Sequence, residues 1–511
     1  MTTAEEGEGF SVEPSLDGVR ALAASGSYRR IPIKQELLSD RITPIEAMRR
    51  ARAASNHCFL LESAEPDQRM GRYSFLGFNP SAEVTCLDGE LTVRRGVEAA
   101  GNETVERSHV EHPGDALRAL IAEHASPVIE GFPPFTGGLV GYFSYDYLKY
   151  AEPILRRDDL ARGDFRDMDL MAFDKLVCFD SYRQRMVLIA SVPVGPGAAA
   201  LEDAYAAAVR DLEGMRSVLE QGPRYHFKPL ELEGALEPSY DETRYGHMVE
   251  EAKRRIVDGD IFQAVLSDPL RAPAKGSLFD AYRVLRSENP SPYMVFLTSD
   301  DIEIAAASPE TLVRLRDGRL LTYPLAGTRP RGATPEEDAE LERGLLEDEK
   351  ELAEHNMLVD LGRNDLGRVS ALGTVEVESL HQVLRFSHVM HIGSTVGGRL
   401  APDKDAVDVI DAILPAGTLS GAPKLRACQV IQDLEGEKRG IYGGAIGYLD
   451  FSGNLDTCIA IRLAYKKDGQ VCVQSGAGIV ADSDPAREFR ECRNKARAVL
   501  EALEAAEGGV A

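Results

Sequence analysis

The segment LDTCIAIRLAY, residues 455–465, is followed after five residues by VCVQSGAGIV, residues 471–480. Both segments are rich in apolar and β-branched residues, which is typical of β-strands. Five residues are too few for the crossover helix that joins parallel strands, so the pattern predicts an antiparallel pair. Four more strand-like segments lie in the same half of the chain: MVFLT (294–298), EIAAAS (303–308), LVRLRDG (312–318) and GAIGYLD (444–450).

The order of strand-like and helix-like segments predicts the fold class. Strands alternate irregularly with helical stretches and lack the regular βαβ spacing of a doubly wound parallel sheet. Several strands are separated only by short turns, which favours antiparallel pairing. The chain is therefore predicted to be an α+β protein with large, mostly antiparallel sheets and packed helices. Its N-terminal half contributes the strands CFLLES (58–63), LVGYFSY (139–145) and RMVLIASV (185–192), with helices at 44–54 and 116–123.

The chain is longer than one hydrophobic core usually organises, since it has 511 residues, of which 43% are apolar. Residues 1–25 are predicted to be a flexible tail, because disorder concentrates at chain termini. A helix-forming stretch, residues 198–220, is followed by a polar segment with three prolines, which is typical of a boundary. Two domains are therefore predicted, at residues 26–222 and 223–511.

The composition argues against several classes of function. A net charge of −25 and a pI near 4.9 oppose a nucleic-acid groove or an anionic membrane surface, since both need a positive face. No stretch reaches the ~18 consecutive apolar residues of a membrane span, and the acidic start does not resemble a signal peptide. The seven cysteines form no CxxC pair, which is typical of a reducing compartment. A cytoplasmic protein with small-molecule or protein partners is expected.

The first of two carboxylate pairs lies on a helix predicted at residues 345–362. Apolar residues recur every seven positions from Leu345 to Val359, which keeps them on one face of a helix. Glu351 and Glu354 are three residues apart and therefore lie on neighbouring turns.

The second pair lies on a helix predicted to start after Pro485. Glu488 and Glu491 share one face of it with Lys495. Two such pairs on separate helices can converge on Mg²⁺, which prefers oxygen ligands. The alternative is a solvated helix with an ordinary i,i+4 ion pair between Glu491 and Lys495, and spacing alone favours that alternative. The apolar stripe predicted on the core face is Phe489, Cys492, Ala496, Val499 and Leu503.

Four glycine-rich segments favour a binding site over the alternative of solvated helices. Glycine lets backbone amides approach a carboxylate or hydroxyl that larger residues would obstruct. None of the four matches a nucleotide-binding motif. Arg462 lies in an apolar run, and a buried arginine needs an anionic partner. Together with the carboxylate pairs, they indicate a magnesium-assisted site for a multiply carboxylated substrate. The segments are GTRP with a following Arg-Gly (327–332), GTLSGAPK (417–424), YGGAIGY (442–448) and SGAGIV (475–480).

These segments, in their order, resemble the chorismate-utilising enzymes, and among them the large subunits of anthranilate synthases. The similarity covers nearly the whole chain apart from residues 1–25 and the proline-containing linker, and it implies the fold of that group. The further matching motifs are LLES (60–63), RYSFLG (72–77), GGLVGY (137–142), GDIFQAVLS (259–267), NPSPYM (289–294), AEHNMLVDLGRNDLGRV (353–369) and HVMH (388–391).

The resemblance implies a reaction and a metal. Ammonia adds at C2 of chorismate as the C4 hydroxyl leaves, and the resulting aminodeoxyisochorismate loses pyruvate to give anthranilate. Mg²⁺ is implied as the cofactor, with Glu354 and Glu491 as principal ligands and Glu351 and Glu488 acting directly or through water. The metal and nearby cations would stabilise charge on the ring carboxylate.

The resemblance also implies roles for residues around the substrate. His391 is implied to move a proton or orient a group during pyruvate release, and Thr418 is the second implied catalytic residue. A zinc pair of His388 and His391 is rejected, because H-x-x-H lacks a third ligand in reach. The implied chorismate contacts are Gly327, Thr328, Tyr442, Arg462, Gly476, Ala477, Gly478 and Lys495, the last near the metal-bound carboxylate.

Two further partners are implied. The sequence has no recognisable glutaminase domain with a nucleophilic cysteine, so a separate glutamine amidotransferase subunit is expected to supply ammonia, in a heterotetramer. L-Tryptophan is expected as a feedback inhibitor at a site formed by LLES and NPSPYM. That effector site would comprise Leu61, Glu62, Ser63, Pro292, Tyr293 and Met294.

Other activities are weighed against this one. Isochorismate and salicylate synthases carry a lysine base where this chain has Gln263, which favours ammonia over water as the nucleophile. Aminodeoxychorismate synthases often carry a nucleophilic lysine where it has Ala326, but some lack it, so that activity remains the alternative. Strand content opposes a helical diphosphate-binding enzyme. A binding protein without catalysis is opposed by the presence of His391, Arg462 and both carboxylate pairs.

Overall fold

The computed structural model describes residues 11–63, 71–98, 101–157, 159–160, 163–195, 199–385 and 389–510. The α-helices within these residues are α1 (Leu16–Ala23), α2 (Pro44–Ala54), α3 (Gly114–Glu123), α4 (Leu148–Ala151), α5 (Leu201–Gln221), α6 (Glu242–Val257), α7 (Phe279–Glu288), α8 (Pro335–Leu346), α9 (Glu349–Gly367), α10 (Ala406–Ile413), α11 (Lys424–Glu435) and α12 (Pro485–Ala506). Short 3-10 turns lie at Tyr145–Tyr147, Pro153–Leu155 and Gly417–Leu419.

The described strands are β1 (Arg30–Leu38), β2 (Cys58–Glu62), β3 (Tyr73–Phe78), β4 (Ala82–Leu87), β5 (Glu90–Arg95), β6 (Thr104–His109), β7 (Gly138–Phe143), β8 (Met168–Phe173), β9 (Lys175–Asp180), β10 (Arg185–Pro193), β11 (Glu231–Leu232), β12 (Glu237–Pro238), β13 (Gln263–Lys275), β14 (Tyr293–Thr298), β15 (Ile302–Ser308), β16 (Thr311–Arg316), β17 (Arg319–Thr322), β18 (Leu325–Pro330), β19 (Glu376–Arg385), β20 (Val389–Arg399), β21 (Gly421–Ala422), β22 (Ala445–Asp450), β23 (Leu455–Ile459), β24 (Leu463–Lys467) and β25 (Gln470–Ile479).

The strands form two large sheets, and every pairing between described strands is antiparallel. The first sheet has 13 strands in the order β1-β10-β9-β3-β2-β14-β15-β24-β25-β13-β11, with β12 and β21 also on β13. The second has 12 strands in the order β18-β20-β17-β16-β23-β22-β7-β8-β4-β5-β6, with β19 on β20. The predicted α+β class is confirmed. Each sheet takes strands from both sides of residue 222, and the domain boundary there stays a prediction.

The two sheets pack face to face, and helices cover their outer faces. Between the sheets, the rings of Phe59 on β2 and Phe173 on β8 meet edge to face with centroids 4.8 Å apart. This inner layer draws apolar residues from both sheets. Helices α2, α5, α7 and α12 cover the first sheet, and α3, α9 and α10 cover the second. Removal of these apolar surfaces from water is the main stabilising contribution to the fold.

The single strand predicted at residues 455–465 is wrong, because the chain changes sheets within it. β23 pairs in the second sheet and β24 in the first, where β24 forms the predicted antiparallel pair with β25. Arg462 lies in the connection with φ of 50°, a region that non-glycine residues seldom adopt. The connection from β15 to β16 also crosses between the sheets, and the Ile459 amide donates to the carbonyl of Glu310 in it, at 2.9 Å.

The helix predicted at residues 345–362 is wrong at its start. Asp348 caps the N-terminus of α9, since its carboxylate accepts hydrogen bonds from the amides of Lys350 and Glu351. The helix is interrupted just before this cap. Leu345, which is fully buried, therefore belongs to the preceding helix, α8.

The second carboxylate helix is confirmed as α12. Asp484 caps it by accepting a hydrogen bond from the Arg487 amide. Its predicted apolar stripe packs into the core, with Phe489 partly buried and Cys492, Ala496, Val499 and Leu503 fully buried. Of the described helices, none is both long and apolar enough to cross a membrane. In the stretch predicted as a tail, residues 16–23 form α1.

Candidate active site

A cavity of about 630 Å³ opens where α9 and α12 meet the connections between the two sheets. This volume is usual for a small-molecule site. The cavity brings together residues that are far apart in the sequence. The predicted site residues on its wall are Thr328, Glu354, His391, Thr418, Tyr442, Arg462, Gly476, Gly478, Glu488, Glu491 and Lys495.

Three of the predicted metal ligands reach this cavity from two helices. Glu354 extends from α9, and Glu488 and Glu491 extend from α12. Desolvation by the surrounding wall raises the pKa of Glu354, and repulsion from other carboxylates, including Glu491, adds to the rise. Burial also raises the pKa of Glu488, again with a contribution from Glu491. Carboxylates that raise one another's pKa in this way form a favourable place for a cation.

The fourth predicted ligand, Glu351, has a different contact. Its Oε1 lies 3.3 Å from Nη1 of Arg329 on β18, and the Arg329 guanidinium also donates to Asp348 at 2.8 Å. Glu351 is not part of the cavity wall, although its charge helps to raise the pKa of Glu354. Its role as a ligand stays a prediction.

Four cationic residues lie on the same wall, and two of them, Arg462 and Lys495, belong to the predicted site. Nζ of Lys495 is 3.0 Å from Oε1 of Glu491, which is the i,i+4 ion pair expected on a solvated helix, here within the cavity. The guanidinium of Arg462 makes no hydrogen bond or ion pair with any described residue. Burial lowers the pKa of Arg462, but an arginine remains charged at neutral pH. Such a guanidinium is suited to bind a substrate carboxylate.

His391 lies on β20 beside the bulge in β18. Its Nδ1 is 3.0 Å from the carbonyl oxygen of Gly327 and 3.1 Å from Oγ1 of Thr328. Gly327 has φ of 64°, so the bulge that aims this carbonyl suits glycine. Burial lowers the pKa of His391, which keeps the imidazole neutral near pH 7. Because Nδ1–H donates to the carbonyl, Nε2 is the basic nitrogen.

Glu310 is a cavity residue that the sequence analysis missed. It lies in the connection from β15 to β16, and its Oε1 accepts a hydrogen bond from Oγ1 of Thr418 at 3.1 Å. Burial raises the pKa of Glu310 to about 7, against the lowering effects of the Thr418 hydrogen bond and of Arg462. The available signal was a glutamate directly after the apolar strand segment EIAAAS and a proline.

The glycines of β25 give the cavity its floor. A Cβ at Gly476 would lie 2.6 Å from the carbonyl oxygen of Leu266 and 3.0 Å from the hydroxyl of Tyr442, so a side chain does not fit there. Ala477 lies between Gly476 and Gly478, and its methyl group is buried in the core instead, because side chains alternate along a strand. A contact of Ala477 with substrate through its backbone stays a prediction. His388, the other member of the rejected zinc pair, lies outside the described residues.

A second cavity, of about 150 Å³, lies between the two sheets where LLES and NPSPYM meet. β2 and β14, which carry these motifs, are neighbours in the first sheet. Oγ of Ser63 is buried and has no hydrogen-bond partner in the described part of the chain. A buried polar atom of this kind favours a ligand that hydrogen-bonds to it. The predicted effector residues on the wall are Leu61, Glu62, Ser63, Pro292, Tyr293 and Met294.

The opposite wall of this second cavity was not predicted. It comes from the second sheet, where Arg314 donates to Asp456 at 2.8 Å. The hydroxyl of Tyr293 also donates to Asp456, at 2.8 Å. Tyr293 is thus held in place by the facing sheet, and a charged pair lies beside the predicted effector residues. These residues are distant in the sequence and share no motif, so only the packing of the sheets reveals them.

The chain matches the family of chorismate binding enzymes over residues 56–501. Anthranilate synthase component 1 of Acetivibrio thermocellus is 43% identical over 504 residues, which cover 96% of this chain and 99% of the relative. The protein of that name from Aquifex aeolicus is 41% identical, with 96% and 98% covered. The solved structure of anthranilate synthase component I from Streptococcus pneumoniae has a TM-score of 0.71 and 37% identity, covering 86% of this chain and 93% of that one. The menaquinone-specific isochorismate synthase of Escherichia coli has the same fold at 19% identity, with a TM-score of 0.66 and coverage of 96% and 99%.

Proposed function

The chain belongs to the chorismate-binding enzymes, in their anthranilate synthase component 1 group, and from this membership we propose that it converts chorismate and ammonia into anthranilate and pyruvate. The reaction opens tryptophan biosynthesis and passes through aminodeoxyisochorismate. The observation that carries the proposal is the single cavity in which Glu354, Glu488 and Glu491 lie with the cations Arg462 and Lys495 and with two proton-transfer groups, Glu310 and His391.

The cavity suits a substrate with two carboxylates. Arg462 offers a planar pair of donors to one of them. Glu354, Glu488 and Glu491 would hold Mg²⁺, because hard oxygen donors from two helices, with raised pKa values at Glu354 and Glu488, favour a dication. When bound, Mg²⁺ would neutralise the other substrate carboxylate. Lys495, paired to Glu491, adds a positive charge beside that carboxylate.

Amination needs a proton for the leaving group. Ammonia forms a C–N bond at C2, the ring double bonds shift, and the C4–O bond breaks so that hydroxide must leave as water. Glu310 is the proton donor that we assign, because burial raises its pKa to about 7 and part of the population is protonated at neutral pH. Thr418 orients this carboxyl group through its hydrogen bond.

Elimination needs a base. Removal of the proton at C2 of aminodeoxyisochorismate lets the C3–O bond break, so that pyruvate leaves as its enol and the ring becomes aromatic. Nε2 of His391 is the base that we assign, since the imidazole is neutral and its Nδ1–H is fixed by the carbonyl of Gly327. The same hydrogen bond stabilises the imidazolium that forms.

Two wall residues support ammonia as the nucleophile. Gln263 and Ala326 both line the cavity, at the positions where related enzymes carry a lysine. An amide cannot deprotonate water, and a methyl group cannot attack the ring. An aminodeoxychorismate synthase that lacks the lysine is the remaining alternative, and it differs in its product.

We assign the supply of ammonia to a separate glutamine amidotransferase subunit. Glutamine hydrolysis needs a reactive, accessible cysteine. All seven cysteines of this chain are buried, and the pKa of Cys458, for example, is raised by burial to about 12. Such thiols are inert, so the isolated chain is expected to use free ammonia only.

The proposed function is tested with the purified full-length chain, chorismate and Mg²⁺. We expect the fluorescence of anthranilate to appear with an ammonium salt and not with glutamine. Addition of a glutaminase subunit should restore use of glutamine. A second arm adds the lyase that forms para-aminobenzoate, and the para isomer would identify the alternative activity. Glutamine-dependent turnover by the isolated chain would overturn the assigned partner.

We also propose that L-tryptophan inhibits the enzyme from the second cavity. Ser63 offers its unpartnered hydroxyl to an amino-acid headgroup, while Pro292 and Tyr293 form apolar walls for an indole ring. No residue of this wall lines the first cavity, so inhibition would be allosteric and would require tighter binding to the less active conformation.

Replacement of Ser63 by Phe is expected to relieve this inhibition. The ring would fill part of a cavity of only about 150 Å³, so the tryptophan concentration for half inhibition should rise about 10-fold or more. Turnover without tryptophan should be nearly unchanged. Ser287→Phe, on the exposed face of α7, is the matched control and should respond like wild type. The assignment would be contradicted if tryptophan failed to inhibit the wild-type enzyme, or if it inhibited Ser63→Phe as strongly as wild type.

A further inference from the structure

A buried histidine outside both cavities lies among carboxylates from different parts of the fold. His57 immediately precedes β2 in the first sheet and is fully buried. Glu83 on β4 of the second sheet is 1% exposed. Asp300 lies in the turn between β14 and β15. None of these residues lines either cavity, and the cluster therefore joins the two sheets at a place that the reaction does not use.

The ring nitrogen Nε2 of His57 faces two carboxylates without a hydrogen bond to either. It is 3.7 Å from Oε1 of Glu83 and 3.5 Å from Oδ2 of Asp300. Neither Nε2 of His57 nor Oε1 of Glu83 has a hydrogen-bond partner in the described structure. Unpartnered polar atoms in fully buried side chains are costly, because they have lost water and gained nothing. Two such atoms near each other indicate a missing ligand.

The remaining contacts hold these atoms in place. Nδ1 of His57 donates to Oε1 of Glu98 at 3.0 Å, so Nε2 carries the lone pair whenever the ring is neutral. Nη1 of Arg94 binds the other oxygen of Glu83, Oε2, at 2.7 Å, and Oδ2 of Asp300 at 2.8 Å. A carboxylate behind a histidine ring is the usual support for a metal-binding imidazole.

The charges of the cluster also favour a dication. The carboxylates of Glu83, Glu103 and Asp300 contact the guanidinium of Arg94, and a fourth carboxylate, that of Glu98, contacts His57. Protonation of His57 would offset only one of the excess negative charges. A divalent ion would offset two of them and would also give Nε2 and Oε1 the partner they lack.

We propose that His57, Glu83 and Asp300 bind a divalent transition-metal ion of the zinc type, with Glu98 orienting the imidazole. In a tetrahedral zinc site, bonds of about 2.1 Å place neighbouring ligand atoms about 3.4 Å apart. The separations of 3.5 and 3.7 Å between Nε2 and the two carboxylate oxygens are within a few tenths of an ångström of that value. An imidazole ligand favours such an ion over Mg²⁺, which prefers oxygen alone.

The ion would cross-link the two sheets. His57 and Asp300 lie at the ends of β2 and β14 that are opposite to Ser63 and Pro292. A metal bond to Glu83 would tie these two strands to the second sheet at one end, while the tryptophan cavity lies at the other. Metal binding to the folded state alone raises stability by mass action.

Metal binding is tested on the full-length chain after a chelator has stripped it. Zn²⁺ is added in the presence of excess Mg²⁺, and bound zinc is measured after gel filtration. We expect one zinc ion per wild-type chain and a higher melting temperature with zinc. His57→Gln and Glu83→Gln should each lose the ion. His109→Gln, at an exposed histidine of β6, and the Glu354→Gln/Glu491→Gln double variant should keep it, which separates this site from the catalytic cavity.

The result that overturns the site is a wild-type chain without stoichiometric zinc, or equal zinc in wild type and His57→Gln. If His57→Gln fails to fold, the test is the visible absorption spectrum of the wild-type chain loaded with Co²⁺. A four-coordinate Co²⁺ site with a nitrogen ligand gives strong bands in the visible region. Absence of these bands contradicts the proposal. An imidazole with protons on both nitrogens in the zinc-treated protein, seen by NMR, would show that a proton occupies the site instead.

Discussion

Replacement of Glu491 by Gln, or of Glu354 by Gln, is expected to lower anthranilate formation about 100-fold or more. Each change removes one negative charge from the cavity and leaves the size of the side chain nearly unaltered. Mg²⁺ binds mainly through the charge and hardness of carboxylate oxygen, so an amide oxygen is a poor substitute. The loss should be greatest at limiting Mg²⁺, and excess Mg²⁺ should recover part of it.

Matched controls on the same helices separate this effect from a general loss of charge. Asp360→Asn on α9 and Glu501→Gln on α12 alter side chains that are 67% and 66% exposed, and both should keep nearly full activity. The melting temperature of Glu354→Gln should not fall, because burial and repulsion raise the pKa of Glu354 and the amide relieves that repulsion. Normal turnover of either ligand variant at limiting Mg²⁺ would contradict the metal assignment.

Replacement of Glu310 by Gln is expected to lower kcat about 100- to 1000-fold, which is the usual contribution of a general acid. The amide keeps the shape of the side chain and its position beside Thr418, but it has no proton to give. No aminodeoxyisochorismate should accumulate, because the proton is needed for amination. His391→Asn should do the opposite and accumulate this intermediate. Asp317→Asn is the control, since Asp317 is exposed in a turn with φ of 51°, which asparagine tolerates.

The pH profile gives an independent test of Glu310. Its pKa is raised to about 7, so its protonated form dominates below that pH and disappears above it. At a constant concentration of unprotonated ammonia, kcat/KM of wild type should therefore fall as the pH rises through about 7. Thr418→Val removes a hydrogen bond that lowers this pKa, and the fall should move to higher pH. A profile that Thr418→Val leaves in place would contradict the assignment.

The sequence by itself determined much of this protein. Short connections predicted antiparallel sheets, and the apolar stripe with the i,i+3 spacing of Glu488 and Glu491 predicted the face of α12 that carries these two residues. These features are local, since strand pairing across a short turn and helix periodicity depend on neighbouring residues. The resemblance of ordered motifs then indicated Glu354, His391 and Arg462 as members of one site.

Only the tertiary structure decided which residues line the wall of the first cavity together. The run at residues 455–465 reads as one strand, because its apolar pattern is unbroken where the chain leaves one sheet for the other. That change of sheet places Arg462 beside Glu310, which no local pattern had marked. Glu351 and Glu354 lie three residues apart on α9 and form one predicted pair. Glu351, however, contacts Arg329 outside the cavity wall.

Packing of the two sheets also decided the contacts around the second cavity and around His57. Ser63 was predicted from its motif, but Arg314 and Asp456 opposite to it were not. His57 and Glu83 belong to no motif and face each other only because two sheets pack together. Contacts between residues distant in the sequence depend on how large faces pack, and local propensity and periodicity carry no information about that packing.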